Sequence, residues 1–265
     1  MTTSPRAIAA LLLITIFFTS CRTSKSLQQE IRGSLSHLYY ELSTPEYLGE
    51  VKHNTHLSFI DNSNMDYYTT VKKKGVTLVP LLFFNYIGQS YKVQLGEGSL
   101  TSNYREFLSD ALLAECNSST CFNLLEDYDG LAADSCYTLN VRITQNRTSS
   151  GIRINETAFF NPFFLIDMAL QTDNHIFSPF GGSKSHHVKS PTTNLSLHVE
   201  LRKDNKCLFS KEYQLKRKYR SGKDIRDADI ANGTCLDAMA ENLSLATKEV
   251  VEIISQELHM FFLAQ

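Results

Sequence analysis

The 265-residue chain has no tryptophan, and that weighs against a sugar-binding surface, because such surfaces lean on aromatic platforms. It also lacks an apolar run of the roughly 20 residues that a bilayer-spanning helix needs. Neither sign of charge dominates: 26 basic residues face 28 acidic ones, a formal net charge of −2, so bulk attraction to nucleic acid is not expected. There is no Gly-x-Ser-x-Gly, no phosphate-binding glycine loop and no His-Glu-x-x-His. Cys-x-x-Cys or Cys/His spacing for zinc is missing too. These absences lead us to expect no enzyme, no cofactor and no metal site.

What is present begins at the N-terminus. Arg6 precedes an apolar run from Ala7 to Phe18, about a dozen residues, too short to span a bilayer and right for a signal-peptide core. The run ends in Phe18-Thr19-Ser20-Cys21. This tetrapeptide resembles the lipobox of bacterial lipoproteins, with Phe where Leu is usual. The resemblance implies cleavage after residue 20 and a diacylglyceryl, palmitate-bearing Cys21. Each buried methylene contributes about 0.8 kcal/mol, and more than one acyl chain makes attachment stable. No aspartate follows Cys21, which resembles Gram-negative lipoproteins sent to the outer membrane. The expected location is its periplasmic face. Residues 1–20 are read as the leader and 21–53 as anchor, tether and connecting segment. Residues 54–265 are read as one α+β domain carrying a hydrophobic loop insertion at 158–190.

Hydrophobic and charged contents of 42% and 20% are those of a folded domain. Besides Cys21, the cysteines are Cys116, Cys121, Cys136, Cys207 and Cys235. An oxidising compartment allows disulfides, and Cys116 and Cys121 could close a tight loop, but an odd number leaves a thiol over. Buried free thiol is the expected state for most of them.

Along the chain, Leu27 to Leu42 has helical spacing, and Thr55–Ile60 reads as a strand. Lys72-Lys-Lys-Gly75 reads as a solvated turn. Val76–Tyr86 reads as one strand bent by Pro80, pairing through a Gly88-Gln-Ser90 turn with Tyr91–Leu95. Asn103 with Glu106 forms a capping-box pattern for a helix reaching about Glu115. Cys121–Glu126 reads as a short strand. Tyr137–Ile143, Leu195–Leu201 and Cys207–Tyr219 alternate apolar and polar residues, the mark of an antiparallel sheet with one wet face. A long helix from about Leu236 to Phe262 carries the apolar stripe that covers the other face, with Ile253 included. The expected fold is α+β: a mostly antiparallel sheet with two main helices on one face, the longer at the C-terminus.

Three groups of residues invite a functional reading. Phe159, Phe160, Phe163 and Phe164 lie in a loop that either covers the sheet end or contacts membrane or partner. Lys216, Lys218 and Arg220 share one strand face, either a charged edge that deters sheet-to-sheet pairing or a contact for anionic headgroups. His186-His187, with His175 and His198, reads as part of a solvated loop rather than a metal site. Asp127 and Asp129 read as turn residues.

The 195–219 hairpin followed by the 236–262 helix, behind a lipobox, resembles the small lipopolysaccharide-assembly lipoprotein and the auxiliary lipoproteins of ABC-type lipid transporters. The resemblance is one of pattern, and no site residue transfers from it. It implies a non-enzymatic, membrane-anchored lipoprotein assisting an envelope transport or assembly complex, with an envelope protein as partner and no nucleic acid. The alternatives are a periplasmic lipoprotein binding lipid or peptide between sheet and helices, and a hydrolase whose site is dispersed in sequence.

Overall fold

The computed structural model describes residues 24–42, 53–60, 65–80, 84–119, 122–125, 137–160, 180–204, 206–219 and 223–264. In chain order they form α1 (Ser24–Arg32), β1 (His53–Ile60), β2 (Thr70–Pro80) and β3 (Phe84–Gln94). A 3-10 turn (Glu97–Ser99), α2 (Tyr104–Ser119), β4 (Phe122–Leu125) and β5 (Tyr137–Phe160) follow. The chain closes with β6 (Phe180–Lys203), β7 (Lys206–Lys218), β8 (Lys223–Ile225) and α3 (Ala228–Leu263). This is the expected α+β fold: an eight-stranded, mostly antiparallel sheet with its helices on one face.

β5 and β6 pair over their whole lengths and form a central ribbon. The free edge of β5 takes two strands end to end: β1 in parallel along Tyr137–Arg142, then β3 antiparallel along Ser149–Phe159. Outside these lie β4, parallel to β1, and β2, antiparallel to β3. The free edge of β6 takes β8 along His186–Val188 and β7 along Thr192–Lys203. The ribbon register slips between Ile143 and Gln145 and again between Ser149 and Gly151. A bulge increases local twist, so the two halves of the sheet meet across a bent middle.

The inner face explains where the helices sit. Leu139, Val141 and Ile143 of β5 and Leu195, Leu197, Val199 and Leu201 of β6 are buried, as the alternation requires. α3 lies on them through Leu243, Val250, Ile254 and Leu258, and α2 packs Leu108 and Leu112 beside it. Burying a Leu, Val or Ile side chain contributes about 1.5–3 kcal/mol, so this layer is the main source of cohesion. Phe262 pins the C-terminal end of α3. Its ring lies 4.9 Å from Phe122, 5.1 Å from Tyr137 and 5.2 Å from His53, reaching β4, β5 and β1. At the middle of the ribbon the buried residues turn polar. Asn242 donates to Thr193 Oγ1 at 2.8 Å, and Thr193 shares a 2.9 Å bond with Thr148.

Both main helices are capped. The Asn103 side chain accepts from Arg105 N at 2.8 Å, and the Asp227 carboxylate accepts from Asp229 N and Ile230 N. Between α1 and β1, Ser36 binds Asp237, the Tyr39 amide binds Ser244 Oγ, and Tyr40 binds Glu115. Going back from Tyr39 to Glu30, which accepts from Asn232, the chain follows α3 toward its N-terminal end. Gly96 permits a close crossing: a Cβ there would sit 2.2 Å from Thr69 N and the Tyr68 carbonyl carbon.

Several expectations are corrected. Lys72-Lys-Lys-Gly75 is part of β2, not a turn; a bulge between Lys73 and Gly75 lets the strand continue. Val76–Tyr86 is two strands, broken after Pro80, and Gly88–Ser90 lies inside β3. β6 begins at Phe180, so 180–190 is strand, not loop, and His186-His187 lies in it. α3 starts at Ala228, where Asp227 caps it, and Ile253 is 39% exposed rather than core. Cys116 and Cys235 are buried, reduced thiols and Cys207 is a reduced, exposed one. Burial pushes both buried thiols up to about 12, which leaves them protonated and inert.

Candidate functional site

A cluster of basic residues lies on the outer face of the sheet, opposite the helices. Directly paired residues in an antiparallel ladder share a face, so the register identifies this set. Lys72 of β2 stands opposite Lys92 of β3, and Lys92 opposite Gly151 of β5, which faces Lys189 of β6. Two residues along β5 the row reads Thr70, Gln94, Ser149, Thr192 and Lys218. The next holds Arg147, Asn194 and Lys216. Five strands at about 4.8 Å and four residues at about 3.3 Å give a belt of roughly 19 by 13 Å.

Gly151 makes the belt continuous. A Cβ there would meet Lys189 Cδ and the Tyr91 carbonyl at 3.1 Å, so its absence lets the lysine stem lie across the ribbon toward Lys92. Lys92 is half-buried, and its ammonium is held below the usual lysine range. Desolvation is the main cause, followed by the charges of Arg147, Lys74 and Lys72. Arg147 donates from Nε to Gln94 at 3.1 Å.

Nearer the other end of β5, Asn140, Arg142, His198, Glu200 and Arg202 line a polar cavity of about 190 Å³. Ser210 Oγ lies 3.2 Å from His198 Nε2, within reach for a nucleophile and its base. The third partner is misplaced: Glu200 stands 3.9 Å from His198 Nδ1 and is held by Arg202 at 3.0 and 3.1 Å. His198 and Glu200 lie mid-strand in β6, and Ser210 lies on β7, which among the described strands pairs with β6 alone.

Toward β8 the ribbon outruns the helix layer. β8 pairs with His186–Val188, α3 begins at Ala228, and β6 continues outward to Phe180, about 20 Å further. Inward-facing positions become exposed along this stretch: Ile154 is buried, Glu156 is half-buried, and Lys184 opposite Glu156 is exposed. The register brings Pro80 opposite Asn85, Phe84 opposite Phe159, and Phe160 opposite Phe180, so both hairpins end at one place.

The sequence candidates fall as follows. Lys216 and Lys218 are exposed on the outer face as expected. Arg217 points inward and donates to Glu249 of α3 at 2.9 Å. Phe159 and Phe160 close β5. His186 is buried, while His187 faces out, 2.7 Å from Asp224. Cys21, Cys121, Asp127, Asp129, Cys136, Phe163, Phe164, His175 and Arg220 lie outside the described residues. Sequence reasoning missed Lys72, Lys92, Arg147 and Lys189 as partners of Lys216, because no linear signal pairs β3 with β5. Among the described residues no cluster of three His, Cys, Asp or Glu could hold a metal ion, and no helix is long and apolar enough to cross a membrane.

No protein-family model matches the chain, and no curated protein matches it. Among solved structures it is similar to the crystal structure of a Xanthomonas campestris protein of the family-model DUF330. The identity is 12% and the TM-score 0.40, over 85% of this chain and 97% of that one.

Proposed function

We propose that this protein is a non-enzymatic lipoprotein, anchored through Cys21 to the periplasmic face of the outer membrane, that assists an envelope transport or assembly complex. The observation that carries this reading is the convergence of two hairpin ends beyond the helix layer, with Pro80, Phe84, Phe159, Phe160 and Phe180 in adjacent register. Aromatic residues are favoured at docking interfaces, and the register gathers four phenylalanines at one end of the sheet. The anchor fits the same arrangement. Ser24 is three residues from Cys21, a span of at most about 11 Å, so a lipid at Cys21 would hold α1 close to the bilayer. The Ser210–His198–Glu200 geometry, with Glu200 taken by Arg202, supports a binding role over hydrolysis.

The test is photo-crosslinking in cells from probes at Phe84, Phe160 and Phe180, with Gln256 on exposed α3 as the control. The expected product is one envelope protein captured from the three hairpin-end positions and not from the control. Capture of lipid alone, or of nothing, would remove the docking role.

A further inference from the structure

We infer that the outer face of the sheet is a second membrane contact: a flat, basic platform that takes the phosphates of anionic lipid headgroups. This deepens the membrane-anchored reading and rests on it.

The platform consists of Lys72, Lys92, Arg147, Lys189, Lys216 and Lys218. The chain as a whole is slightly acidic, so the cluster is a local segregation of charge. Carboxylates on this face stand off to the sides. Asp224 is engaged by His187 and Glu200 by Arg202, and Glu212 lies opposite His198, beyond the belt. Asp66 meets Gln94 at the rim.

Two features argue for an absent counter-charge. Like charges directly opposite each other in a sheet are destabilising, and Lys72 faces Lys92. Lys92 is held below its ordinary range first by desolvation and then by the charges of Arg147, Lys74 and Lys72, and an anion near it would offset that second cost.

The kind of anion follows from what lies between the charges. In the three rows of the belt every outward position is Lys, Arg, Ser, Thr, Asn, Gln or Gly. A protein interface of this size needs an apolar or aromatic centre, which is lacking here. Single-stranded nucleic acid needs stacking platforms, which the belt does not have either. A layer of lipid phosphates needs neither. It is met by long flexible cations and hydroxyls spread over a surface, and each basic side chain near an anionic bilayer strengthens binding about fivefold. The tether permits the pose, because α1 packs against β2, the edge strand that carries Lys72.

The test uses the mature lipidated chain, inserted in vesicles of phosphatidylcholine alone or mixed with phosphatidylglycerol. Amine acetylation is read lysine by lysine by mass spectrometry. The expected result is about fivefold protection of Lys92, Lys189, Lys216 and Lys218 by phosphatidylglycerol, with Lys248 of α3 unchanged. Salt near 1 M, where the Debye length is about 3 Å, should abolish the protection. Lys92→Gln combined with Lys189→Gln, with an unchanged circular dichroism spectrum, should return Lys216 to its labelling in neutral vesicles. Equal labelling in both vesicle types overturns the proposal. So does protection seen only in native membranes together with a protein crosslinked at Lys92, which would make the face a protein interface. The mass of the N-terminal peptide reads the anchor separately. A chain without lipid at Cys21 that still gains protection with phosphatidylglycerol would remove the anchor and keep the platform.

Discussion

Replacing Phe262 by alanine should cost the protein about 4 kcal/mol, although the residue is close to the last position of the chain. Chain ends ordinarily fray and tolerate change. Phe262 is different because it is 5% exposed and meets the rings of Phe122, Tyr137, His53 and Phe261 at 4.9–5.6 Å. Truncating a buried phenylalanine costs about 3–5 kcal/mol, and edge-to-face pairs contribute about 0.5–1.5 kcal/mol beyond burial. With a urea dependence of roughly 2–3 kcal/mol/M, the midpoint should fall by about 1.3–2 M at unchanged slope. Met260→Ala is the control. Met260 is 65% exposed two residues away and should change stability by no more than about 0.5 kcal/mol. A Phe262→Ala loss below about 1 kcal/mol would refute the reasoning, since it would mean that the end of α3 is not seated on β1, β4 and β5.

Two further outcomes test the packing between layers. Glu257 of α3 accepts from Lys211 and Tyr213 of β7; burial opposes its ionisation, but those hydrogen bonds and the lysine charge outweigh it and hold the carboxyl below the usual range. Its folded pKa is therefore below its unfolded one, so its contribution is present above the ordinary value of 4.5 and lost as pH falls through the folded value. Urea midpoints measured from pH 6 to pH 3 should fall less steeply in Glu257→Gln than in the parent; parallel curves would contradict the assignment. Gly96→Ala should lower the melting temperature by about 6–12 °C, because a Cβ 2.2 Å from backbone atoms forces the chain apart at or above the roughly 3 kcal/mol end of overpacking costs. Gly75→Ala, with open space around its Cβ, should leave it unchanged.

The parts of this fold that could be read from the sequence are those where burial and polarity agree. Leu139, Val141 and Ile143, or Leu195, Leu197 and Val199, alternate cleanly because one face meets α3 and the other meets water. The reading stopped at Ile143 because the next buried positions are polar: Asn146 donates to Met65 Sδ, Ser150 donates to the Lys189 carbonyl, and Thr148 bonds Thr193, which accepts from Asn242 of α3. The strand continues where its apolar signature does not. His186 and His187 misled for a related reason: adjacent residues in a strand face opposite sides, so one is buried and one is wet. The Lys72–Lys74 run resembled a turn because strands on a charged face also look like solvated chain. The basic platform was invisible in linear order, since Lys92 meets Lys189 only through Gly151. Lys216 and Lys218 alone carried a trace of it, in the alternation of β7.

The β5–β6 ribbon has a consequence for distance. Its 24-residue strands extend about 80 Å, so they act as a measuring rod between the end where Phe262 is seated and the end where the hairpins converge. A rod made of strands cannot be lengthened smoothly. Adding one residue to each strand turns every inward side chain outward, so lengths that preserve the two faces come in steps of two residues, about 6.7 Å. If the platform lies on headgroups, the gauge runs along the membrane plane. It would then set, in those steps, how far from its footing the protein can meet a neighbour.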